Sequence, residues 1–234
     1  LQNSQIKVGI DLDKGGSIGY LSAANNDISI INIADHGREV QLSYYGGPRP
    51  YKDCVWSSQG WPWNPIGAGD AYGHSSQVQS VTPTANGLKV VTVPLQWACD
   101  NVPCDCTFEK EIWLDEDAVW VRATLVNARE DKQDYGKFPQ ELPAAYVVGS
   151  LSTLTCYQGD EPWTNAPLTS WTNASGPPWS PGHINCSEHW AAFVDPTTSF
   201  GMGVFRPDWS TFYCGFHGKH GSGGPTDDAT GYIA

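Results

Sequence analysis

Hydrophobic and polar positions alternate with a period of two through much of this chain, the pattern of strands with one buried face. Ile6-Lys7-Val8-Gly9-Ile10-Asp11-Leu12 opens it, Lys14-Gly15-Gly16 supplies a turn, and Ile18-Gly19-Tyr20-Leu21 returns. Asn25-Asn26-Asp27 turns the chain again before Ile28-Ser29-Ile30-Ile31-Asn32-Ile33, so the opening reads as a meander. Gln77–Val81 and Leu88–Leu95 flank Asn86-Gly87, a pair that tolerates positive φ and favours a hairpin turn. The plainest hairpin joins Thr107–Leu114 to Ala118–Val126 through Asp115-Glu116-Asp117. Its alternation puts Glu109 with Glu111, and Arg122 with Thr124, on a wet face where charges pair across strands. Val147-Val148, Leu151–Tyr157, His189–Asp195 and Gly201–Phe205 supply later strands. Residues 158–187, rich in Gly, Pro, Ser, Thr, Asn and Trp, read as a long excursion pinned by Trp163, Trp171 and Trp179. The pattern predicts an all-β fold, an antiparallel β-sandwich, in a single domain over residues 1–234.

Composition narrows the partners. Thirteen basic and 25 acidic residues give a formal charge of −12, which disfavours nucleic acid and anionic membrane. No stretch nears the roughly 20 continuous apolar residues of a membrane span. Leu1-Gln2-Asn3-Ser4 lacks the basic and apolar segments of a leader, so the chain reads as mature, and a secreted, extracellular monomer is expected. Seven cysteines, at 54, 99, 104, 106, 156, 186 and 214, show no four-ligand zinc spacing. Disulfides account for them better, with up to three bridges, one thiol left over, and Cys99 paired to Cys104 or Cys106. The sequons at Asn173 and Asn185 agree with secretion. His217 and His220 lie in a Gly-rich tail without a helix to align them, so neither metal nor cofactor is expected.

Candidate chemistry gathers between Asp35 and His74. Asp35-His36-Gly37-Arg38, Tyr44-Tyr45-Gly46, Trp61-Pro62-Trp63-Asn64 and Gly69-Asp70-Ala71-Tyr72-Gly73-His74 crowd imidazole, guanidinium, carboxylate and aromatic groups into a stretch with little periodicity. A cleft for sugar explains this mixture, because aromatic rings pack on the apolar faces of sugars while charged and amide groups bond the hydroxyls. The alternative is a Trp- and Pro-rich loop that only covers a core. Further on, Pro139 and Pro143 bracket Gln140-Glu141 and restrict the backbone around a carboxylate, which reads either as ligand-contacting or as an acceptor for loop amides.

Ile6–Leu21, Asp35–Arg38, Tyr44-Tyr45-Gly46, Pro139–Pro143, Glu188–Asp195 and Gly201–Val204 together resemble secreted carbohydrate-active proteins of the galactose-mutarotase-like group. The resemblance implies a large antiparallel super-sandwich with a concave sugar-binding face, to which His189 would contribute; a smaller jelly-roll is the alternative. Three functions are open for an oligosaccharide or polysaccharide partner, beside a purely structural extracellular domain. In a glycoside hydrolase, Asp70 and Glu141 divide the acid and the base or nucleophile roles. In a polysaccharide lyase, His36 or His74 is the base, Tyr44, Tyr45 or Tyr72 the acid, and Arg38 the clamp on a uronate carboxylate. In a noncatalytic binding module, Tyr44, Tyr45, Trp61, Trp63 and Tyr72 stack on sugars while Arg38, Asn64 and Asp70 bond hydroxyls.

Overall fold

Period-two alternation becomes strand almost everywhere it is sustained. A computed structural model describes residues 1–172, 179–219 and 221–234, and among them the sole helical element is the short turn Leu12–Lys14. The fold is all-β with several antiparallel sheets. None of its described helices is long and apolar enough to cross a membrane. The chain gathers into two units interleaved in sequence: Leu1–Ile28 with Asp35–Ala144, and Ser29–Ala34 with Ala145–Ala234.

In the first unit Ile6–Asp11 pairs with Ser17–Ala23. The turn between them is the expected one, with Gly15 and Gly16 at φ of 59° and 70°. A four-stranded sheet runs in the order Ala118–Asn127, Cys106–Asp115, Gly87–Val93, Gln77–Pro83. Along Cys106–Asp115 the residues Cys106, Phe108, Lys110 and Ile112 are buried while those between are half-buried. Ile112 packs on Val8 and Ile18, with Ile6, Ile10, Leu21, Val40, Leu114 and Val119 around them. Burying each of the larger side chains contributes about 1.5–3 kcal/mol. On the wet face Glu111 pairs with Arg122 at 3.0 Å, and Glu109 with Lys89, as the alternation requires.

Short strands in this unit hold the irregular segments together. Ser43, at the end of Val40–Ser43, pairs with Ile66, and Pro65-Ile66 pairs in turn with Leu95-Gln96. Residues 36–43, 65–75 and 95–101 are thereby laid side by side. Beneath them Tyr51, Trp63 and Ala98 are buried with four cysteines. The bridges are Cys54–Cys99 and Cys104–Cys106, with Cα separations of 4.7 and 5.0 Å, correcting the expected pairing of Cys99 with Cys104 or Cys106. Cys99 closes a turn onto the Gln96 carbonyl at 3.2 Å and meets Cys54, leaving Cys104 and Cys106 to each other.

The strand Glu141–Val148 carries the chain into the second unit. There Ala145–Val148, Thr230–Ile233, Thr211–His217 and Ser180–Asn185 pair in that order. A second sheet runs Thr169–Trp171, Thr153–Cys156, Trp190–Val194, Gly201–Phe205. Phe193 of this sheet meets Phe216 of the first edge-on at 4.9 Å, so the sheets pack against each other. Two expectations are corrected here. Ile28–Ile33 is not a strand: Ile31 makes an isolated bridge to Val147, and the Asn32 side-chain amide donates instead to the carbonyls of Asp227 and Ala229. Residues 158–187 are not wholly loop, since they contain the strands Thr169–Trp171 and Ser180–Asn185. Trp179 does pin this region, packing on Tyr146, His217 and Tyr232, whereas the Trp163 side chain is exposed and only its backbone N–H is tied, to Glu188 Oε1 at 2.6 Å.

Candidate functional site

The loop from Gly69 to Ser75 is organised by one carboxylate. Asp70 Oδ1 accepts the backbone N–H groups of Tyr72 and His74, both at 2.9 Å. Oδ2 accepts the Asn101 N–H at 2.7 Å and faces His74 Nδ1 at 2.9 Å. The Asp70 side chain is wholly buried, while that of His74 is 43 % exposed. A carboxylate can only accept, so Nδ1 is the donor, which makes Nε2 the acceptor in the corresponding neutral tautomer. The arrangement is a base held in one tautomer by a fixed partner. Gly69 cannot carry a side chain here, because a Cβ would strike the His74 carbonyl and lie 2.7 Å from His36 Cδ2.

His36 joins the same group, with Nε2 3.2 Å from Ser75 Oγ. Burial pushes its pKa down, and the nearby Lys14 ammonium pushes it further. Arg38 is nearly buried and its Nε donates to Asp35 Oδ2 at 3.1 Å. Gln41 locks the segment by donating to the carbonyls of His36 and Arg38 and accepting the Ala68 N–H. Behind this lies an ionic pair absent from the sequence reading. Glu39, at φ 76°, is wholly buried, with Lys14 Nζ 2.8 Å from Oε1 and, among the described residues, no hydrogen-bond partner on Oε2. Burial pushes the Glu39 carboxyl up to about 7, with Lys14 opposing. Lys110 Nζ donates to the carbonyls of Gly15 and Gly16 at 2.6 and 2.7 Å, and burial brings its pKa down to about 7 against the pull of Glu39.

Aromatic surface flanks the loop. The Trp97 carbonyl accepts the Ala71 N–H at 2.9 Å and its ring lies against Gly37, fixing the indole to both loop and His36 segment. Trp56, 38 % exposed, meets Trp97 edge-on at 5.0 Å, and Tyr72 is 54 % exposed. Asp100, 72 % exposed at its side chain, reaches His74 Nδ1 at 3.5 Å. One ligand atom each of Asp70, His74 and Asp100 lies within 4.8 Å of the others, close enough to surround an ion. All four acceptor positions of Asp70 are already filled, however, so the group is built as a hydrogen-bonded dyad.

The remaining candidates fall elsewhere. Trp63 and Asn64 are wholly buried, which removes them from any stacking or hydroxyl-binding surface. Asn64 instead accepts from Trp61 Nε1 and donates to Ser43 Oγ and the Tyr44 carbonyl, each at 3.1 Å. Tyr44 meets the edge of Trp63. Tyr45 Oη lies 3.5 Å from Glu141 Oε1, and burial beside that carboxylate pushes its pKa up. Gln140 clasps the Tyr45 backbone at both ends. Glu141 therefore belongs with Tyr45, and Asp70 with His74. His189 lies in the second unit, where its Nδ1 donates to the Pro207 carbonyl. Asn185 is exposed at the end of its strand, and Asn173 and His220 fall outside the described residues. A cavity of about 600 Å³ in the first unit, bordered by Pro48, Tyr51, Lys52 and Arg129, contains none of these groups.

Sequence reasoning missed Lys14, Glu39, Trp56, Trp97 and Asp100. Glu39 directly follows Asp35-His36-Gly37-Arg38, and Trp97 and Asp100 flank Cys99, so adjacency to motifs already singled out was the available signal. Comparison with family models, curated proteins and solved structures finds no match to this chain, so the galactose-mutarotase-like resemblance rests on its sequence pieces.

Proposed function

We propose that the protein is a secreted glycan-cleaving enzyme whose general base is His74, oriented by Asp70. The observation that carries this is the saturated Asp70 carboxylate: with every acceptor position used, it positions an imidazole and has no free oxygen for a sugar. That favours elimination over hydrolysis by an Asp70–Glu141 pair. Elimination needs a base to remove the proton beside a uronate carboxylate, an acid for the leaving oxygen, and a cation against the developing charge. His74 Nε2 supplies the base and exposed Tyr72 the acid, while Lys14, near His36, is paired with buried Glu39. Arg38 is committed to Asp35 and gives up the clamp role. The substrate is a uronate-containing polysaccharide, and Trp56 and Trp97 provide its stacking surface. Packed antiparallel sheets suit a super-sandwich scaffold, and bridged cysteines suit an extracellular compartment.

The test is product chemistry. Wild-type protein incubated with uronate polymers gives unsaturated products that absorb in the near ultraviolet, and His74→Gln lowers turnover at least about 100-fold with binding retained. Reducing ends without that absorbance, unaffected by His74→Gln, would overturn elimination and return the chemistry to carboxylates. Trp56, Trp97 and Tyr72 also suit a noncatalytic glycan-binding module, which saturable binding without turnover at any pH would select.

A further inference from the structure

Cys156, Cys186 and Cys214 stand outside the two bridges, and all three are wholly buried in the second unit. Cys156 ends the strand Thr153–Cys156, Cys186 follows Ser180–Asn185, and Cys214 lies in Thr211–His217. Backbone contacts bring the first two together. The Ser187 N–H donates to the Tyr157 carbonyl at 2.9 Å, and its hydroxyl donates to the Gly159 carbonyl at 2.6 Å. Gln158 Nε2 donates to the Asn185 carbonyl at 3.0 Å. The residues after Cys156 are thus stitched to those on both sides of Cys186. The two thiols make a hydrogen bond with each other, which pulls the Cys156 thiol down and pushes the Cys186 thiol up.

Cys214 is excluded as the partner of Cys186 by strand register. Asn185 faces Thr211, and the Cys186 N–H donates to the Ser210 carbonyl, so Cys214 lies four residues further along. At about 3.3 Å per residue that is roughly 13 Å, beyond the ~7 Å Cα limit for a bridge. We infer that Cys156 and Cys186 form a third disulfide, leaving Cys214 as the chain's single thiol. The bond forms by exchange with a low-molecular-weight or protein disulfide while the unit closes. One thiolate attacks and releases a thiol, leaving a mixed disulfide. The second thiolate attacks that sulfur and releases the other thiol, so the pair loses two protons and two electrons and the reagent disulfide is reduced. The product closes residues 157–185 into a loop and fixes the middle residue of the Asn185-Cys186-Ser187 sequon.

Mass mapping tests this on the whole chain. Fully reduced protein is refolded with oxidised and reduced glutathione, then denatured in excess N-ethylmaleimide at mildly acidic pH and digested without reduction. The expected map holds a linked Cys156–Cys186 peptide pair and alkylation at Cys214 alone. The Cys214→Ser variant should keep the pair and show no alkylated cysteine. Alkylation of all three residues, or linkage of Cys214 to Cys156 or Cys186, would overturn the assignment. Cys156→Ser should expose Cys186 and Cys214 together; if it does not fold, the wild-type and Cys214→Ser maps still decide.

Discussion

Glu39 and Lys110 show how far a single residue can depart from its habitual place. Both are charged residue types at apolar depth, and burial moves each toward neutrality. Folded Glu39 holds its proton more tightly than the unfolded chain does, so its contribution falls as pH rises from about 4.5 to about 7. Lys110 behaves oppositely: it releases its proton more readily when folded, and its contribution recovers as pH climbs from about 7 toward 10.5. Together they predict a dip in stability near neutral pH. Urea midpoints measured on both flanks and at the centre check it, and Glu39→Gln should abolish the acid-side descent. A flat profile in the wild type would remove both shifts. The burial of Lys110 was legible in the alternation, since placing Glu109 and Glu111 on the wet face puts Lys110 on the dry one. Glu39 was not, because its depth is set by partners distant in sequence, Lys14 and Lys110. Asp70 belongs to the same lesson: its residue type suggested an acid, and its four donors make it a brace for His74.

At the level of elements, the regular hairpins were read correctly, whereas Ser180–Asn185 and Thr211–His217 went unread amid Gly, Pro and aromatic residues, and strands too short to have a period were invisible. The hairpin of Cys106–Asp115 with Ala118–Asn127 runs in unbroken register, as its alternation and acidic turn require. Pro65-Ile66 and Leu95-Gln96 carry no pattern in two residues each, yet they align the segments that build the site. Ile28–Ile33 misled for the reverse reason, since Ile30 and Ile31 are buried without a ladder. The packing of the second unit's sheets offers a test at this scale. A Cβ on Gly231 would lie 2.8 Å from the ring of Phe193, which is fully buried and held edge-on by Phe216. Gly231→Ala should therefore destabilise by about 1–3 kcal/mol, read as a lower urea midpoint. An unchanged midpoint would mean that the sheets separate more easily than their packing implies.

Over the whole molecule the two units share no simple boundary. Residues 29–34 belong with the second unit although more than a hundred residues of the first follow them. The Ile33 N–H donates to the Pro225 carbonyl, the Asn32 N–H to the Tyr146 carbonyl, and the Val148 N–H to the Ile30 carbonyl. A fragment of residues 145–234 should consequently fail to fold alone and regain protection from proteolysis when a peptide spanning residues 29–34 is added. A stable fragment without the peptide would show the insertion to be dispensable. Neither the interleaving nor its hydrogen bonds could be read from the sequence, because Ile28–Ile33 looks like one more local strand.

That interleaving sets an order on the birth of the chain. As the polypeptide leaves the ribosome, residues 29–34 emerge ahead of their partners and must wait until residues 146 and 225–229 follow. The first unit can close around its own strands once residue 144 is out, but the second is sealed only when the strand Thr230–Ile233 has followed. Slow or stalled synthesis would leave Ile30 and Ile31, buried once the unit is closed, uncovered for longest, making this segment the point at which a nascent chain is most open to capture by a chaperone or by another nascent copy.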